Sequence, residues 1–292
     1  MSSPPLVFDR ALLAARRRRA RALGPATFLI DRVAEDLAER LSTVLRTFPV
    51  AVDLGTPTDA VRRALAGQDS IGRIFAAARD GAADVVIDEE ALPFRDGALD
   101  LVVSALALHT VNDLPGTLIQ IRRALKGDGL FLAAMMGGET LTELRQAFAL
   151  AESEIDGGVS PRVAPFVDVR ETGALLQRAG FALPVTDMER ITVRYASPLA
   201  LMQDLRRMGA TNMLVERRRT PLKRATLMRM LEDYAARFAD ADSRIRATFD
   251  VVWLSGWAPH ESQQQPLKPG SARMRLADAL GTKEMPTGEK PS

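Results

Sequence analysis

Apolar and polar positions along the chain fall into alternating helix-like and strand-like stretches. Residues 8–23 read as a helix. Between residues 26 and 46, apolar side chains recur at helical spacing, at Phe28, Val33, Leu37, Leu41, Val44 and Leu45, and Pro49 closes the stretch. Short apolar runs then predict strands over Val50–Leu54, Ile71–Ala77 and Asp84–Asp88, with a helix over Pro57–Leu65 between the first two. The longest run, Leu99–Leu108, breaks off at His109, Asn112 and Asp113. A run without polar alternation predicts a strand buried on both faces, as in a parallel sheet. A helix over Leu114–Leu125 follows, then a strand over Leu130–Met135 and, behind Gly137 and Gly138, a helix over Glu139–Ile155.

Past residue 150 the pattern changes. A loop rich in glycine and proline, 157–166, precedes a helix over Val169–Ala179 that stops at Gly180. A strand over Glu189–Tyr195, helices over Pro198–Met208 and Pro221–Phe238, and a last strand over Thr248–Leu254 complete the order. There is no internal repeat. The alternation predicts an α/β fold: a doubly wound, mostly parallel seven-stranded sheet with a C-terminal helical insertion. The expected divisions are N-terminal helices at 1–48, a cofactor-binding core at 49–150, the remaining strands with the insertion at 151–262, and a tail without persistent structure at 263–292.

Composition narrows the function classes. The 292 residues are 47% hydrophobic, enough for one large core. Lys and Arg number 39 against 37 Asp and Glu, a net charge of +2, so charge alone does not argue for nucleic acid. The run Arg16–Arg19 reads first as a solvated helix face. With no cysteine, a disulfide scaffold, a thiolate metal site and a cysteine nucleophile are excluded. No His, Asp and Glu grouping has zinc spacing, and no apolar run reaches a membrane span. A secretory signal would place its charges before the apolar stretch, and here they follow it. The Arg-rich start leaves a mitochondrial presequence open, so the expected location is the cytoplasm, or the mitochondrial matrix in a eukaryote.

In open α/β sheets, ligands sit beyond the carboxyl ends of the strands. That places His109 and Asn112 as candidate catalytic residues, His109 as an acid or base or to orient a substrate nitrogen. Asp113, followed by Pro115, reads better as the N-cap of its helix. After the first strand, Thr56 is expected as an N-cap, with Pro57 at the first helical position and Asp59 at the third. The second strand ends on Ala77 and Ala78, where a ribose-binding acid would stand; Asp80 follows a little later. Both tryptophans cluster with His260 in the segment 253–262, which reads first as core packing.

These segments resemble those of class I S-adenosylmethionine-dependent methyltransferases, which have a Rossmann-like fold. Within that class the chain is most similar to the assembly factors of respiratory complex I. The matching stretches are FDR at 8–10, DEEALPF at 88–94, LDLVVSALALH at 99–109, VNDLPG at 111–116, GGETLTELR at 137–145, SPRVAPF at 160–166, LLQRAGF at 175–181 and GWAPHES at 256–262. The resemblance implies S-adenosylmethionine as cofactor, held around Asp53, Gly55, Thr56, Asp88, Glu89 and Ala105. Asp53 and Gly55 match the start of a D-x-G-x-G-x-G loop, but Pro57 and Asp59 stand where its next glycines would be, and Thr110 stands where the family tends to carry Trp. The expectation is therefore weak or lost cofactor binding. The resemblance further implies a protein substrate, with a complex I subunit as the candidate, and either methyl transfer or arginine hydroxylation. Two other readings are a non-catalytic assembly factor and an O-methyltransferase of a carrier-bound acid, as in biotin synthesis.

Overall fold

The computed structural model describes residues 6–79, 83–264, 278 and 280–282. Residues Met1–Pro259 form one compact unit and His260–Ser292 a second, small one. Asp80 and most of the expected tail lie outside the described residues.

Seven strands form one sheet in the order β3-β2-β1-β4-β5-β7-β6. They are β1 Phe48–Leu54, β2 Ile71–Ala78, β3 Val85–Val86, β4 Leu99–Ala105, β5 Leu125–Met136, β6 Ala182–Tyr195 and β7 Ile245–Trp257. The first five are mutually parallel, and β7 runs antiparallel between β5 and β6. The mostly parallel, doubly wound α/β fold is thus present, with its helical insertion between β6 and β7. Because β1, β3 and β4 are parallel, Asp53, Asp88 and His109 share one edge of the sheet, that of the carboxyl ends.

Burial dictates which helix lies where. In α2 (Phe28–Ser42), Leu29, Ile30, Val33, Leu37 and Leu41 form one buried stripe, which packs with α3 (Ala60–Leu65) on one face of the sheet. Helices α5 (Thr142–Asp156), α7 (Pro198–Arg207) and α8 (Arg224–Phe238) join that same face. The opposite face carries α4 (Leu114–Ala124) and α6 (Val169–Arg178). Asp113 caps α4, accepting the Gly116 N–H, with proline in the first turn. Helix α1 (Arg10–Ala22) buries only Leu13 and Ala20 and is capped by Asp9, which accepts the Leu12 N–H.

Several boundaries differ from expectation. Strand β3 shrinks to two residues, because the Asp84 carboxylate turns back to accept the Ala76 N–H and Asp88 bridges to Ala91 instead. Strand β6 is twice as long as its apolar signal, since an edge strand with one partner alternates only between half-buried and exposed. Helix α3 begins at Ala60, not Pro57, and α5 at Thr142, not Glu139.

Candidate functional site

The loop after β1 is built around a buried carboxyl. Asp53 is 2% exposed and accepts the Thr56 hydroxyl proton. Burial pushes its pKa up to about 7, against the opposing pull of Thr56 and Arg62. The Thr56 hydroxyl also accepts the Ala105 N–H at 3.1 Å, tying β1 to the end of β4. Thr56 is therefore not the helix cap. Asp59 takes the N-cap position, and the Thr58 hydroxyl accepts the Ala60 N–H at 3.2 Å. The reason is burial: two polar groups inside the sheet edge need the Thr56 hydroxyl, whereas the helix N-terminus is open to solvent. Gly55 has φ +74°, a conformation that favours glycine, and a Cβ there would lie 3.2 Å from the Ala107 Cβ and 3.3 Å from the Glu89 Cγ.

An acidic trio follows β3. Asp88, Glu89 and Glu90 surround the Arg10 guanidinium of α1, which pairs with all three. Arg79, at the end of β2, adds a contact to Asp88 at 3.3 Å, and its N–H donates to Glu89 at 3.2 Å. Burial alone would raise the Asp88 pKa; the Glu90 N–H and the two guanidiniums hold it below its ordinary value instead. Further along α1, Arg17 donates to the Gly55 carbonyl at 3.4 Å.

His109 follows β4 in a single 3-10 turn, Leu108–Thr110. The chain enters this turn through Leu106, whose φ of +51° costs on the order of 1–2 kcal/mol and is held by its buried side chain and its N–H bond to Ala134. The His109 ring meets Phe166 edge-on at 5.6 Å, and its Nδ1 accepts the Met136 N–H at 3.5 Å. Burial, with the positive charge of Arg17, drives its pKa down to about 3, so the ring is neutral with its proton on Nε2. It lines a cavity of about 240 Å³ roofed by α7 and the 157–168 loop.

Asn112 sits differently from expectation. Its Oδ1 accepts the Val7 and Phe8 N–H groups and its Nδ2 donates to the Phe8 carbonyl. It clamps the N-terminal segment, with both lone pairs of its oxygen and one of its two N–H donors used there. Asp53, Gly55, Thr56 and Ala105 meet at one point, and Asp88 and Glu89 at a second, beside Gly55. Trp253 lies in the core, as expected. In the small C-terminal unit, the His260 Nδ1 lies 2.8 Å from the Ser262 hydroxyl.

Sequence reasoning missed Arg10, Arg17 and Glu152. Glu152 is fully buried and takes the Ser160 N–H and hydroxyl and the Arg162 guanidinium, pinning the loop that roofs the cavity. Arg10 and Arg17 act across long chain separation, whereas Glu152 serves partners eight and ten residues away. A basic residue just after the FDR aspartate and an acid inside an apolar helix face were the available signals. Among the described residues, no cluster of His, Asp and Glu could hold a metal ion, and no helix is long and apolar enough to cross a membrane.

Comparison with known proteins places this geometry. A methyltransferase-domain family model matches residues 49–133. The mitochondrial arginine hydroxylase NDUFAF5 of Danio rerio is 37% identical over 93% of this chain and 89% of its own length. A malonyl-acyl-carrier-protein O-methyltransferase of Laribacter hongkongensis is 39% identical over 70% of this chain and 65% of its own. A provisionally assigned methyltransferase of Bacillus halodurans C-125, 16% identical, shares the fold with a TM-score of 0.51 over 77% of this chain and 99% of that one.

Proposed function

The chain belongs to the family of the arginine hydroxylase NDUFAF5, and from that premise we propose that it acts on an arginine-bearing protein substrate, a subunit of respiratory complex I, during assembly. The observation that carries the reading is His109, a neutral imidazole at the carboxyl edge of the sheet, beside a cavity roofed by the helical insertion. A guanidinium offers donors only. His109, whose Nδ1 is taken by Met136, therefore engages the substrate through Nε2–H, at a main-chain carbonyl flanking the target arginine.

Cofactor binding is weak or lost in this reading. The residues present do not fit S-adenosylmethionine. Pro57 removes an N–H from the loop after β1. Among the described residues the end of β2 offers Ala78 and Arg79 in place of a ribose acceptor. The carboxylates of Asp88 and Glu89 are held by Arg10 and the Gly55 carbonyl by Arg17; the gap beside Glu89 measures about 20 Å³, separate from a space of about 290 Å³ lined by Asp53, Thr56, Pro57 and Ala78. The same observations favour a second reading, a binding-only assembly factor.

The test is deletion of the gene in its own host, with complex I activity and the masses of complex I arginine peptides as readouts, alongside calorimetry of the pure protein with S-adenosylmethionine. The expected result is loss of assembled complex I and loss of one oxygen from a single arginine. Loss of complex I with no arginine modified in the wild type would establish the binding-only reading. Unchanged complex I would reject both, and tight S-adenosylmethionine binding would reject the argument on the cofactor.

A further inference from the structure

On the face of the sheet that carries α2, cover is uneven. In the first half of β7, Ile245, Ala247, Phe249 and Val251 are buried beneath α5 and α8. The second half, residues 253–257, lies beside the start of β5, at the amino edge of the parallel strands and away from His109. There the face opens as a groove of about 580 Å³ between α2 and the edge strand β6. Val185, which pairs with Ser255 beside the groove, is 59% exposed. We infer that this groove docks a segment of a partner protein in which a basic residue stands between large apolar ones. The basic side chain meets Asp36 and Glu39 of α2, and the apolar side chains lie over Leu130, Leu132 and Trp257.

The arginines of the groove are already committed. Arg32 reaches across to Glu189 of β6 at 2.5 Å, and Arg40 to Asp187 at 3.0 Å. Arg40 also lies over the Trp253 ring at 4.3 Å. Two carboxylates about one helical turn apart remain on the α2 wall. Among the described residues, Asp36 pairs only with Arg32, at 3.8 Å, and shares it with Glu189. The Glu39 carboxylate makes no hydrogen bond or ion pair among them. Burial and Glu189 hold the Asp36 carboxyl above its ordinary range, against the pull of Arg32 and Arg40, so the wall is short of positive charge. A phosphate or carboxylate would meet like charge there, whereas an ammonium or guanidinium gains charge-assisted hydrogen bonds.

The floor supplies the apolar half of the site. Leu130 and Leu132 of β5 and Trp257 of β7 line it, on the same face because strand side chains alternate. A large aromatic beside aliphatic surface, next to a charged wall, is the make-up of an interface anchor. A free amine would use the wall and leave the floor uncovered. Size limits the occupant further. At about 30 Å³ per water-sized group, the groove holds on the order of twenty non-hydrogen atoms, two or three side chains. A whole helix does not fit, so the partner lays side chains into the groove and keeps its backbone outside.

The inference is independent of the proposed function, which uses the opposite edge of the sheet, so its failure leaves the arginine reading standing. The chain has two tryptophans and two histidines, and their ring NMR signals report separately on the groove and on His109. The test titrates the full-length protein with acetyl-Phe-Arg-Leu-amide, with versions carrying citrulline or Glu in place of Arg, and with acetyl-Gly-Arg-Gly-amide. The Phe-Arg-Leu peptide is expected to shift the Trp257 indole signal. It should bind on the order of tenfold tighter than the Glu version or the Gly-Arg-Gly peptide. Asp36→Asn combined with Glu39→Gln is expected to erase the advantage of Arg over citrulline without lowering the melting temperature, since neither side chain is buried. The proposal is overturned by no shift of Trp257 up to about 10 mM peptide, by equal binding of the Arg and Glu versions, or by an unchanged Arg advantage in the double variant. Shifts confined to His109 would place the peptide at the other edge and overturn the groove. Sedimentation of the free protein completes the test: a dimer that the double variant loses would give this face to a second copy and overturn the partner.

Discussion

Asp53, buried, and His109, half-buried, two titratable groups at the same edge of the sheet, bias stability in opposite directions. Burial pushes Asp53 up to about 7, above its unfolded value of 3.8. Between those values the folded state holds a proton that the unfolded state has released. The contribution is present in full at acid pH and is lost as pH rises through 7, on the order of 4 kcal/mol at the limit. Asp53→Asn, which still accepts from Thr56, should therefore flatten the loss of stability as pH rises from 3.8 to about 7. His109 is driven down to about 3, from an ordinary 6.5, by burial and by Arg17. Here the unfolded state takes up the proton first, so stability is lost as pH falls from 6.5 toward 3. His109→Gln should remove that acid loss. Urea unfolding of both variants and the wild type at pH 4.5, 6 and 8 checks the pair; parallel pH profiles for all three would refute it. The positions of both residues were legible, since each follows an apolar run. The role of Asn112 was not, because the N–H groups it serves, at Val7 and Phe8, lie more than a hundred residues away in sequence.

Among the elements, the 157–168 loop shows how a segment without secondary structure is fixed in place. Glu152, fully buried on α5, accepts from Ser160 and from Arg162, and those bonds hold its carboxyl below the ordinary range against the cost of burial. Arg162 in turn lies over the Phe148 ring at 5.1 Å. Glu152→Ala would leave a largely buried guanidinium unpaired and should cost roughly 3–5 kcal/mol. Urea denaturation measures the cost, and limited proteolysis should show cutting within 157–168. A loss below about 1 kcal/mol, with the loop still protected, would contradict this. Elements buried on both faces, β4 above all, were legible because burial leaves an unbroken apolar run. The lengths of β6 and β7 were not. Leu183, Val185 and Met188 are exposed on an edge strand, where apolar and polar residues are equally tolerated. Strand β3 failed for another reason: its acids serve Ala76 and Arg10 rather than a ladder.

For the whole molecule, the two ligand-facing halves of the carboxyl edge have diverged. On the β1–β3 side, arginines from α1 reach the Gly55 carbonyl and the acidic trio. On the β4–β5 side, the insertion encloses a cavity. The loss of the loop glycines was legible in the sequence; the arginines were not, because nothing in the run Arg16–Arg19 says that Arg17 folds inward, and the partners of Arg10 lie 78 and 79 residues away. The sheet order has its own consequence for how the chain is made. Strand β7 separates β5 from β6, yet it begins at Ile245, more than a hundred residues after β5 ends at Met136. At ~5–20 residues per second the ribosome needs about 5–20 s to cross that interval. Throughout it the β5 edge waits without its neighbour, and β6, complete at Tyr195, waits for the second half of it. A chain stopped after Arg244 should accordingly be insoluble or bound to chaperones, although it carries the whole methyltransferase-domain segment 49–133. A soluble, cooperatively melting product of that truncation would show that the first five strands fold alone. The last strand to leave the ribosome is the one that joins the two sides of the sheet, so native structure in the nascent chain arrives late and all at once.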